Sequence, residues 1–529
     1  MNLIGKKILI VCREVDSLPY YFLAKRWMKN NTVAAYFIKA SETKFHKNIS
    51  NDISYFAFKD IENLKVYDVN QIADTFTASL KEDKILDPDF LEMLEREYTH
   101  FHNLNTQIIS SQSFIRHYHF RYFWKLCTYT QQLNWLLLSY KDAMFVMDEF
   151  QPDVVINTDS DEIGRCALRE ICYKRAIPNI TIEFPRYEMY KTFTYSLGSQ
   201  IEENFRHYYI NLSKGSIEHI KEELEYVDDF KRKSNIMSTM YKNDITSQYK
   251  PDSFLKVVCF IIRFIILMFK QDVCAGNWTI KRSNPVLYPS TSGYFKYFTH
   301  CIYLKQMLMR KNRFFKKPIE GEKYVYMPLH LIPESTTSIL SPFYINELSV
   351  IEAVSKSIPA GWFLYVKEHQ AMLGERSLSF YKTINKLPNV KMVQLNYYND
   401  PKPWITKSQG VVTISGTSAY EAALLGKHSI VFSEVPFGLI DGVHRVTSFE
   451  KLPKIFAKFS EPLQNEQSCA AYIRTVKEFG EAIDLKFLIR NCSQYIKEHS
   501  EPNEEVLSNI CNIEKVILKA LSNFNKFNS

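Results

Sequence analysis

The amino-acid sequence predicts an α/β protein with two doubly wound domains. Short apolar runs alternate with amphipathic helical stretches near both ends of the chain, which indicates parallel sheets covered by helices. The chain has 529 residues, more than one hydrophobic core usually serves. Between the two α/β regions the composition changes to charged and then strongly apolar and basic. We therefore expect two α/β domains separated by a helical insertion.

The first α/β region is expected over residues 1–225. Lys7–Cys12 has the continuous apolar character of a buried parallel strand, and a helix begins near Ser17. Pro152–Asn157 and Asn179–Phe184 have the same character as the first run. Strands separated by helices in this way predict a doubly wound domain.

The helical insertion is expected over residues 226–318. Its helix at Phe254–Lys270 is apolar except for three cations spaced seven apart, which therefore share one side. Those cations are Lys256, Arg263 and Lys270. Tyr294–Lys317 then mixes basic and aromatic residues, a combination that suits anionic lipid headgroups. We expect an anionic membrane surface as a partner, whereas the alternative is a core helix with a charged edge.

The second α/β region is expected over residues 319–480, followed by C-terminal helices over 481–529. Seven of the 15 glycines fall between Gly361 and Gly442, so tight turns concentrate here. The predicted strands are Lys323–Met327, Trp362–Lys367, Lys391–Val393, Val411–Ile414 and Ser429–Phe432.

A hydroxyl-rich turn follows the strand at Val411–Ile414 and opens a helix. The turn consists of Ser415, Gly416, Thr417 and Ser418. A helix N-terminus presents free N–H groups and a positive dipole end, which together favour a phosphate. Glu421, one turn later, is placed to accept hydrogen bonds from ribose hydroxyls. The alternative interpretation is an ordinary capped helix.

Further polar residues follow two other strands of the same region. In open α/β sheets ligands bind outside the carboxyl ends of strands. Lys367, His369 and Arg376 follow one strand and suit a leaving phosphate. A loop after the first strand adds His330, Glu334 and Thr336.

Three blocks of sequence resemble bacterial capsule-polysaccharide biosynthesis proteins, which are related to the Kdo-transferase group of GT-B glycosyltransferases. The blocks are VKEHQAMLGERSLSFY, PLHLIPESTTSILSPFYIN and TISGTSAYEAALLGK, within about residues 320–445. The resemblance implies two Rossmann-like domains facing a cleft, with the nucleotide held by the C-terminal domain. It also implies that His369 and the Ser415–Ser418 turn contact the donor phosphate. The chain departs from the family at Gln370, where the family has proline.

This resemblance favours an inverting, metal-independent glycosyltransferase that uses a nucleotide-activated sugar, possibly CMP-linked. The acceptor would be a surface polysaccharide or a glycolipid. Such a reaction needs a general base, for which Asp159 or Asp161, and next Glu14, are candidates in the first domain. All three can equally be helix-capping acids.

Three other functions remain open: a sugar-nucleotide epimerase of GT-B-like fold, a CDP-polyol phosphotransferase and a non-catalytic scaffold of polysaccharide assembly. No cofactor or metal is expected. A net charge of +8 without a dense basic stripe argues against nucleic acid. Ten scattered cysteines without a C-x-x-C pair indicate a cytoplasmic protein, here peripheral at the inner face of the plasma membrane.

Overall fold

The computed structural model describes residues 3–38, 50–110, 127–157, 163–195, 201–237, 253–268, 291–311, 314–332 and 334–524. The chain divides into two compact units. Unit 1 comprises Met1–Glu202, Ile266–Tyr294 and Val476–Ser529, and unit 2 comprises Glu203–Ile265 and Phe295–Thr475. The last two helices of the chain therefore belong to the same unit as its first strand.

The strands and helices alternate along most of the chain. The strands are β1 Lys7–Cys12, β2 Thr32–Phe37, β3 Lys65–Asp68, β4 Val154–Asn157, β5 Asn179–Glu183, β6 Tyr190–Thr194, β7 Tyr324–Pro328, β8 Phe363–Lys367, β9 Val390–Met392, β10 Gly410–Val412, β11 Ser429–Val431, β12 Val443–Arg445 and β13 Glu481–Ala482. The helices are α1 Leu18–Trp27, α2 Ser50–Lys59, α3 Asn70–Ser79, α4 Pro88–Glu97, α5 Leu104–Ser110, α6 Tyr129–Phe150, α7 Ile163–Lys174, α8 Glu203–Ser213, α9 Lys221–Arg232, α10 Phe254–Met268, α11 Thr291–Lys311, α12 Ser335–Ser338, α13 Glu347–Ser357, α14 Leu378–Ile384, α15 Pro401–Thr406, α16 Thr417–Leu424, α17 Leu452–Ala457, α18 Glu466–Phe479, α19 Leu485–Glu498 and α20 Glu504–Asn523.

The sheet of unit 1 has the order β13-β6-β5-β4-β1-β2-β3. Its strands pair in parallel from β3 to β5, and β6 pairs antiparallel with β5 and with β13. Side chains of β1 alternate between two cores: Ile8 and Ile10 pack on the side of α1 and α20, whereas Leu9 and Val11 pack on the side of α6 and α7. Burial on both faces explains the continuous apolar character of this strand.

The sheet of unit 2 is fully parallel, with the order β12-β11-β10-β7-β8-β9. The chain builds outward from β7 through β8 to β9, and then returns to the other side of β7 with β10. This is the doubly wound order in which the direction of winding reverses between β7 and β10. Ligands of such sheets bind at the carboxyl ends of the strands, at this reversal.

The predicted α/β class is confirmed: the chain forms two compact units, and each has a helix-covered sheet in which parallel pairing predominates. β1 coincides with the predicted strand, and the predicted strands of the second region shift by one to two residues at their ends. Among the described helices, none is long and apolar enough to cross a bilayer. The four segments expected from the sequence, with the three boundaries between them, stay predictions.

Candidate functional site

The candidate site lies within unit 2, at the carboxyl ends of β8, β7 and β10. His330 follows β7 by two residues, Lys367 is the last residue of β8, and Ser415 follows β10 by three. The three strands are adjacent, with β7 in the middle. Residues from both sides of the winding reversal therefore meet at one edge of the sheet.

A chain of hydrogen bonds joins β7 to the turn after β10. The Glu347 carboxylate accepts from the backbone N–H of His330 at 2.7 Å and lies 3.3 Å from His330 Nδ1. With the ring proton placed on Nδ1 by that carboxylate, Nε2 accepts from the Thr413 hydroxyl at 2.8 Å. The Thr413 oxygen in turn accepts the N–H of Gly416 at 3.0 Å. The buried imidazole thus sets the position of the hydroxyl-rich turn.

Gly416 stands where a larger residue has no room. A β-carbon at this position would lie 2.5 Å from Thr413 Oγ1 and 3.2 Å from His330 Nε2. The backbone of Gly416 is extended, with φ −77° and ψ 153°, so any residue can adopt its conformation. The glycine is therefore required by the close approach of two side chains and not by backbone strain.

The hydroxyl-rich turn leads into the N-terminus of α16, where backbone N–H groups are available as hydrogen-bond donors. Gly416 is the N-cap residue and makes no side-chain capping bond within the described part of the chain. The first N–H groups of a helix have no partner inside the helix. The Ser415 hydroxyl is buried, at 2% exposure, and has no hydrogen-bond partner among the residues the structure describes. A buried, unsatisfied hydroxyl is costly unless a ligand completes it.

A buried cluster of charged side chains contacts His330 through hydrogen bonds. Arg376 forms an ion pair with Glu347, donates to Glu368 Oε1 at 3.1 Å and donates to the His330 carbonyl at 2.9 Å. Tyr381 donates its hydroxyl to Glu368 Oε2 at 2.8 Å. Both carboxylates are buried, and Arg376 has 8% side-chain exposure. Nε and Nη2 of Arg376 thus contact groups of the protein, and the predicted contact of Arg376 with a phosphate stays a prediction.

Burial and charge act differently on the members of this cluster. Burial favours a raised pKa at Glu347, but the charge of Arg376 and the hydrogen bonds from His330 bring the pKa below its ordinary value. At Glu368 burial prevails over the same guanidinium, and the pKa is raised. Burial opposes the charge on Arg376, yet the two carboxylates raise its pKa further, so it stays protonated.

Lys367 brings an ammonium group with unusual acidity to the end of β8. Burial lowers the pKa of Lys367 to about 8, and the charge of Asp400 counteracts this only in part. Its ammonium donates to the carbonyl of Tyr398 at 3.4 Å and lies 5.8 Å from the ring centre of Trp404. A bound anion would favour the charged form of this group further.

His369 is held two residues beyond β8. Its backbone N–H donates to Glu368 at 2.8 Å, which ties it to the ionic cluster. Its Nδ1 accepts from the Ala371 N–H at 3.2 Å, so the neutral ring carries its proton on Nε2. The neutral imidazole therefore has a donor at Nε2.

The remaining predicted residues are more loosely placed. Glu421 is half-buried and lies one turn after Thr417 on α16. Glu334 is exposed and accepts from the hydroxyl of Thr336 at 3.0 Å, within the loop that opens α12. This contact joins two residues at the start of α12, and it does not include His330.

The three predicted general bases belong to unit 1 and stay predictions. Asp159 and Asp161 lie outside the described residues. Glu14 begins the short 3-10 helix Glu14–Ser17 after β1. Within the described residues no cluster of His, Cys, Asp or Glu side chains has the arrangement of a metal site.

Two site residues escape prediction from the sequence. Glu347 occupies the first turn of α13, where an acid is ordinarily explained by the helix dipole. Thr413 lies within an apolar run and is fully buried. A lone hydroxyl in a buried run is a signal that a hydrogen-bond partner exists, but the sequence does not say which one.

No protein-family model and no curated protein matches the chain. Solved structures do match it. They include the UDP-GlcNAc 2-epimerase of Methanocaldococcus jannaschii in complex with UDP-GlcNAc and UDP, at 10% identity and TM-score 0.26, covering 90% of this chain and 100% of that chain. The enzyme of Neisseria meningitidis bound to UDP-GlcNAc has 14% identity and TM-score 0.22, covering 89% and 100%. A putative UDP-N-acetylglucosamine 2-epimerase of Listeria monocytogenes has 10% identity and TM-score 0.27, covering 94% and 98%.

These matches correct one expectation. The sequence favours a glycosyltransferase, but the matching structures named above are UDP-GlcNAc 2-epimerases. The expectation of a glycosyltransferase is therefore contradicted. At such low identities and TM-scores no residue role passes from these enzymes to this chain.

Proposed function

We propose that the carboxyl edge of the second sheet binds a nucleotide-activated sugar and that the protein is a sugar-nucleotide epimerase. The observation that carries the proposal is the buried Ser415 hydroxyl, which has no partner among the described residues and lies beside a helix N-terminus without a capping side chain. A phosphate oxygen supplies the missing acceptor and also suits the helix dipole.

The neighbouring strand end supports a diphosphate in particular. Adjacent strands are about 4.8 Å apart, so β8 and β10, on either side of β7, end about 10 Å apart. One phosphate at the Ser415 turn and a second toward Lys367 and His369 would bridge that distance. Glu421 then lies one helical turn from the first phosphate, where a ribose hydroxyl can donate to it. Tyr397, 43% exposed beside Trp404, offers a ring on which a base can stack.

Epimerisation by removal and return of a proton needs an acid–base pair with proton affinities near neutral pH. Lys367, with its pKa of about 8, has this property at the end of β8. The imidazole of His369, two residues further along the chain, is proposed as the second group of the pair. Such a reaction requires no second substrate. Carbon 2 of the sugar has no neighbouring carbonyl, so the electron pair left by its proton forms a C1–C2 double bond while the C1–O bond breaks and the nucleotide diphosphate leaves. The nucleotide oxygen then re-forms the bond to C1, and a proton returns to C2 on the opposite face.

UDP-GlcNAc is the first substrate to test because the matching enzymes bind it. The resemblance of residues 320–445 to capsule-polysaccharide proteins supports a product that serves surface polysaccharide assembly. A cytoplasmic location peripheral to the membrane belongs to the same proposal.

The binding test compares two serine substitutions at opposite ends of β10. Ser415→Ala removes the unsatisfied hydroxyl, so we expect unchanged or slightly higher stability and about tenfold weaker binding of UDP. Ser408→Ala is the matched control, because the buried Ser408 hydroxyl already donates to the Ile405 carbonyl at 2.7 Å. Calorimetric titration measures both. Equal affinity in the two variants would contradict the phosphate site.

The reaction test follows UDP-GlcNAc by proton NMR in deuterium oxide. An epimerase produces a second set of sugar signals and replaces the proton of the inverted carbon by deuterium. Titration with CMP, CDP and UDP in parallel identifies the nucleotide. Tight nucleotide binding without isomerisation or exchange would reject the epimerase and favour a non-catalytic scaffold.

A further inference from the structure

α10 exposes an apolar surface that ordinary globular proteins keep covered. Phe254 and Leu255 are each 75% exposed, and Ile262, Ile265 and Ile266 are 50–53% exposed. The helix has no acidic residue along its length. Isolated exposed apolar residues need no explanation, but five on one short helix mark an interaction surface.

These five side chains fall on one side of the helix. At about 100° per residue, the five positions span an arc of about 120°. Lys256 is exposed and lies outside this arc. Arg263 follows Lys256 by seven residues, so the helical repeat places it on the same side as Lys256. An apolar arc beside a cationic edge is the pattern of a helix that lies in a membrane interface.

The net positive charge of the chain is concentrated around this helix. Residues 253–317 hold 12 of the 66 Lys and Arg residues and one of the 58 Asp and Glu residues, which gives this segment +11 and the remainder of the chain −3. Arg310, in the last turn of α11, is exposed, and so are Lys316 and Lys317 beyond the end of this helix. Tyr303 of α11 is 64% exposed. A protein that is otherwise slightly acidic thus carries one strongly basic segment.

We propose that α10 is a membrane-docking surface, with its apolar arc in the interface of a bilayer that contains anionic lipid. A second copy of this chain would carry the same +11 segment, and like charges would oppose self-association through this surface. An anionic headgroup layer instead complements the charge while the acyl boundary receives the apolar side chains. This inference deepens the peripheral membrane location of the proposed function, and it rests on the exposure and charge of this segment and not on the epimerase reaction.

The test is co-sedimentation of the full chain with vesicles, without nucleotide. Vesicles of phosphatidylcholine alone are compared with vesicles that contain about 30 mol % phosphatidylglycerol. We expect binding to the anionic vesicles that weakens as NaCl rises from about 0.05 to about 0.5 M. Equal binding to both vesicle types, or no binding at low salt, would overturn the proposal.

Substitutions test whether vesicle binding depends on the apolar arc of α10 or on exposed apolar side chains in general. Leu255→Ser combined with Ile262→Ser should lower the partition coefficient about 100-fold, about tenfold for each side chain withdrawn from the interface. The matched control is Phe145→Ser with Leu507→Ser, since both residues are exposed apolar side chains on other helices, at 57% and 43%. The control variant should bind as the parent does.

Light scattering tests the competing occupant. If the parent chain is a dimer in vesicle-free solution and the Leu255–Ile262 variant is a monomer, the surface is a contact between copies and the membrane proposal fails. Far-UV circular dichroism of each variant confirms that the fold is intact. An unchanged oligomeric state together with lost vesicle binding supports the proposal.

Discussion

Gly416→Ala should break the hydrogen bonds that join the hydroxyl-rich turn, through Thr413, to the imidazole of His330. The added methyl group would lie 2.5 Å from Thr413 Oγ1, well inside contact distance, although the backbone at Gly416 tolerates alanine. Thr413 must then rotate away. Rotation breaks its hydrogen bonds to His330 at 2.8 Å and from Gly416 at 3.0 Å.

The magnitude follows from these two contacts. Each buried hydrogen bond contributes about 1 kcal/mol, and leaving the Thr413 hydroxyl unsatisfied costs about 1–3 kcal/mol more. We expect a loss of about 3–5 kcal/mol in the free energy of unfolding of unit 2. Displacement of the turn should also weaken UDP binding by about 30-fold, which corresponds to about 2 kcal/mol.

A double-mutant cycle identifies the cause. Thr413→Ala removes the atom that the new methyl group meets, so the double variant should be no less stable than Thr413→Ala alone. Gly438→Ala is the glycine control, because its β-carbon would meet only Val435 Cγ2, at 3.7 Å. Urea unfolding and calorimetric titration with UDP measure all four proteins. Additive effects of Gly416→Ala and Thr413→Ala would refute the steric argument.

Three further predictions use the buried charges. Arg376→Met leaves two buried carboxylates without their cation and should lower the free energy of unfolding by about 3–5 kcal/mol, as measured by urea unfolding. Arg445→Met removes an exposed ion pair and should lower it by less than about 1 kcal/mol. Equal losses would contradict a stabilising role of Arg376 in the buried cluster. Lys367→Met should stabilise the ligand-free protein by on the order of 2 kcal/mol near pH 7, because burial of the charged lysine, with its depressed pKa of about 8, destabilises the parent. This gain should vanish as the pH rises past the unfolded pKa of lysine, about 10.4. The variant should also bind UDP more weakly, and a destabilised variant would contradict this reasoning. Burial raises the pKa of Glu170 to about 7, so between about pH 4.5 and 7 the folded protein holds a proton that the unfolded chain releases, and stability falls as the pH rises through this range. In urea unfolding, Glu170→Gln should be as stable as the parent near pH 4 and about 3 kcal/mol more stable near pH 8. A stability difference that does not change with pH would exclude this titration.

Much of the fold could be predicted from the sequence because local patterns encode it. The apolar run Lys7–Cys12 is buried on both sheet faces, and its length matches β1. The crossover from β10 through α16 to β11 was predicted with ends shifted by at most two residues. Glycine, hydroxyl and apolar spacing act over a few residues, so they remain legible without the rest of the chain.

The candidate site could be predicted only in part. Its location at Ser415–Ser418 follows from the strand–turn–helix pattern, and the strand ends carry His330 and Lys367 as expected. The role of Arg376 could not be predicted, because its partners Glu347 and Glu368 differ in distance along the chain and only one is in the same motif. An arginine near a strand end has the same appearance in sequence whether it faces a ligand or two carboxylates.

The sequence by itself determined the strands β1, β4, β5 and β7 to β11, the hydroxyl-rich turn after β10 and the segregation of basic charge into residues 253–317. Only the tertiary structure decided which side chains meet. His330 contacts Glu347, 17 residues away, and Thr413, 83 residues away, because β7 lies between β8 and β10. Strand order in a sheet arises from packing of the whole unit, and no local pattern of residues specifies it.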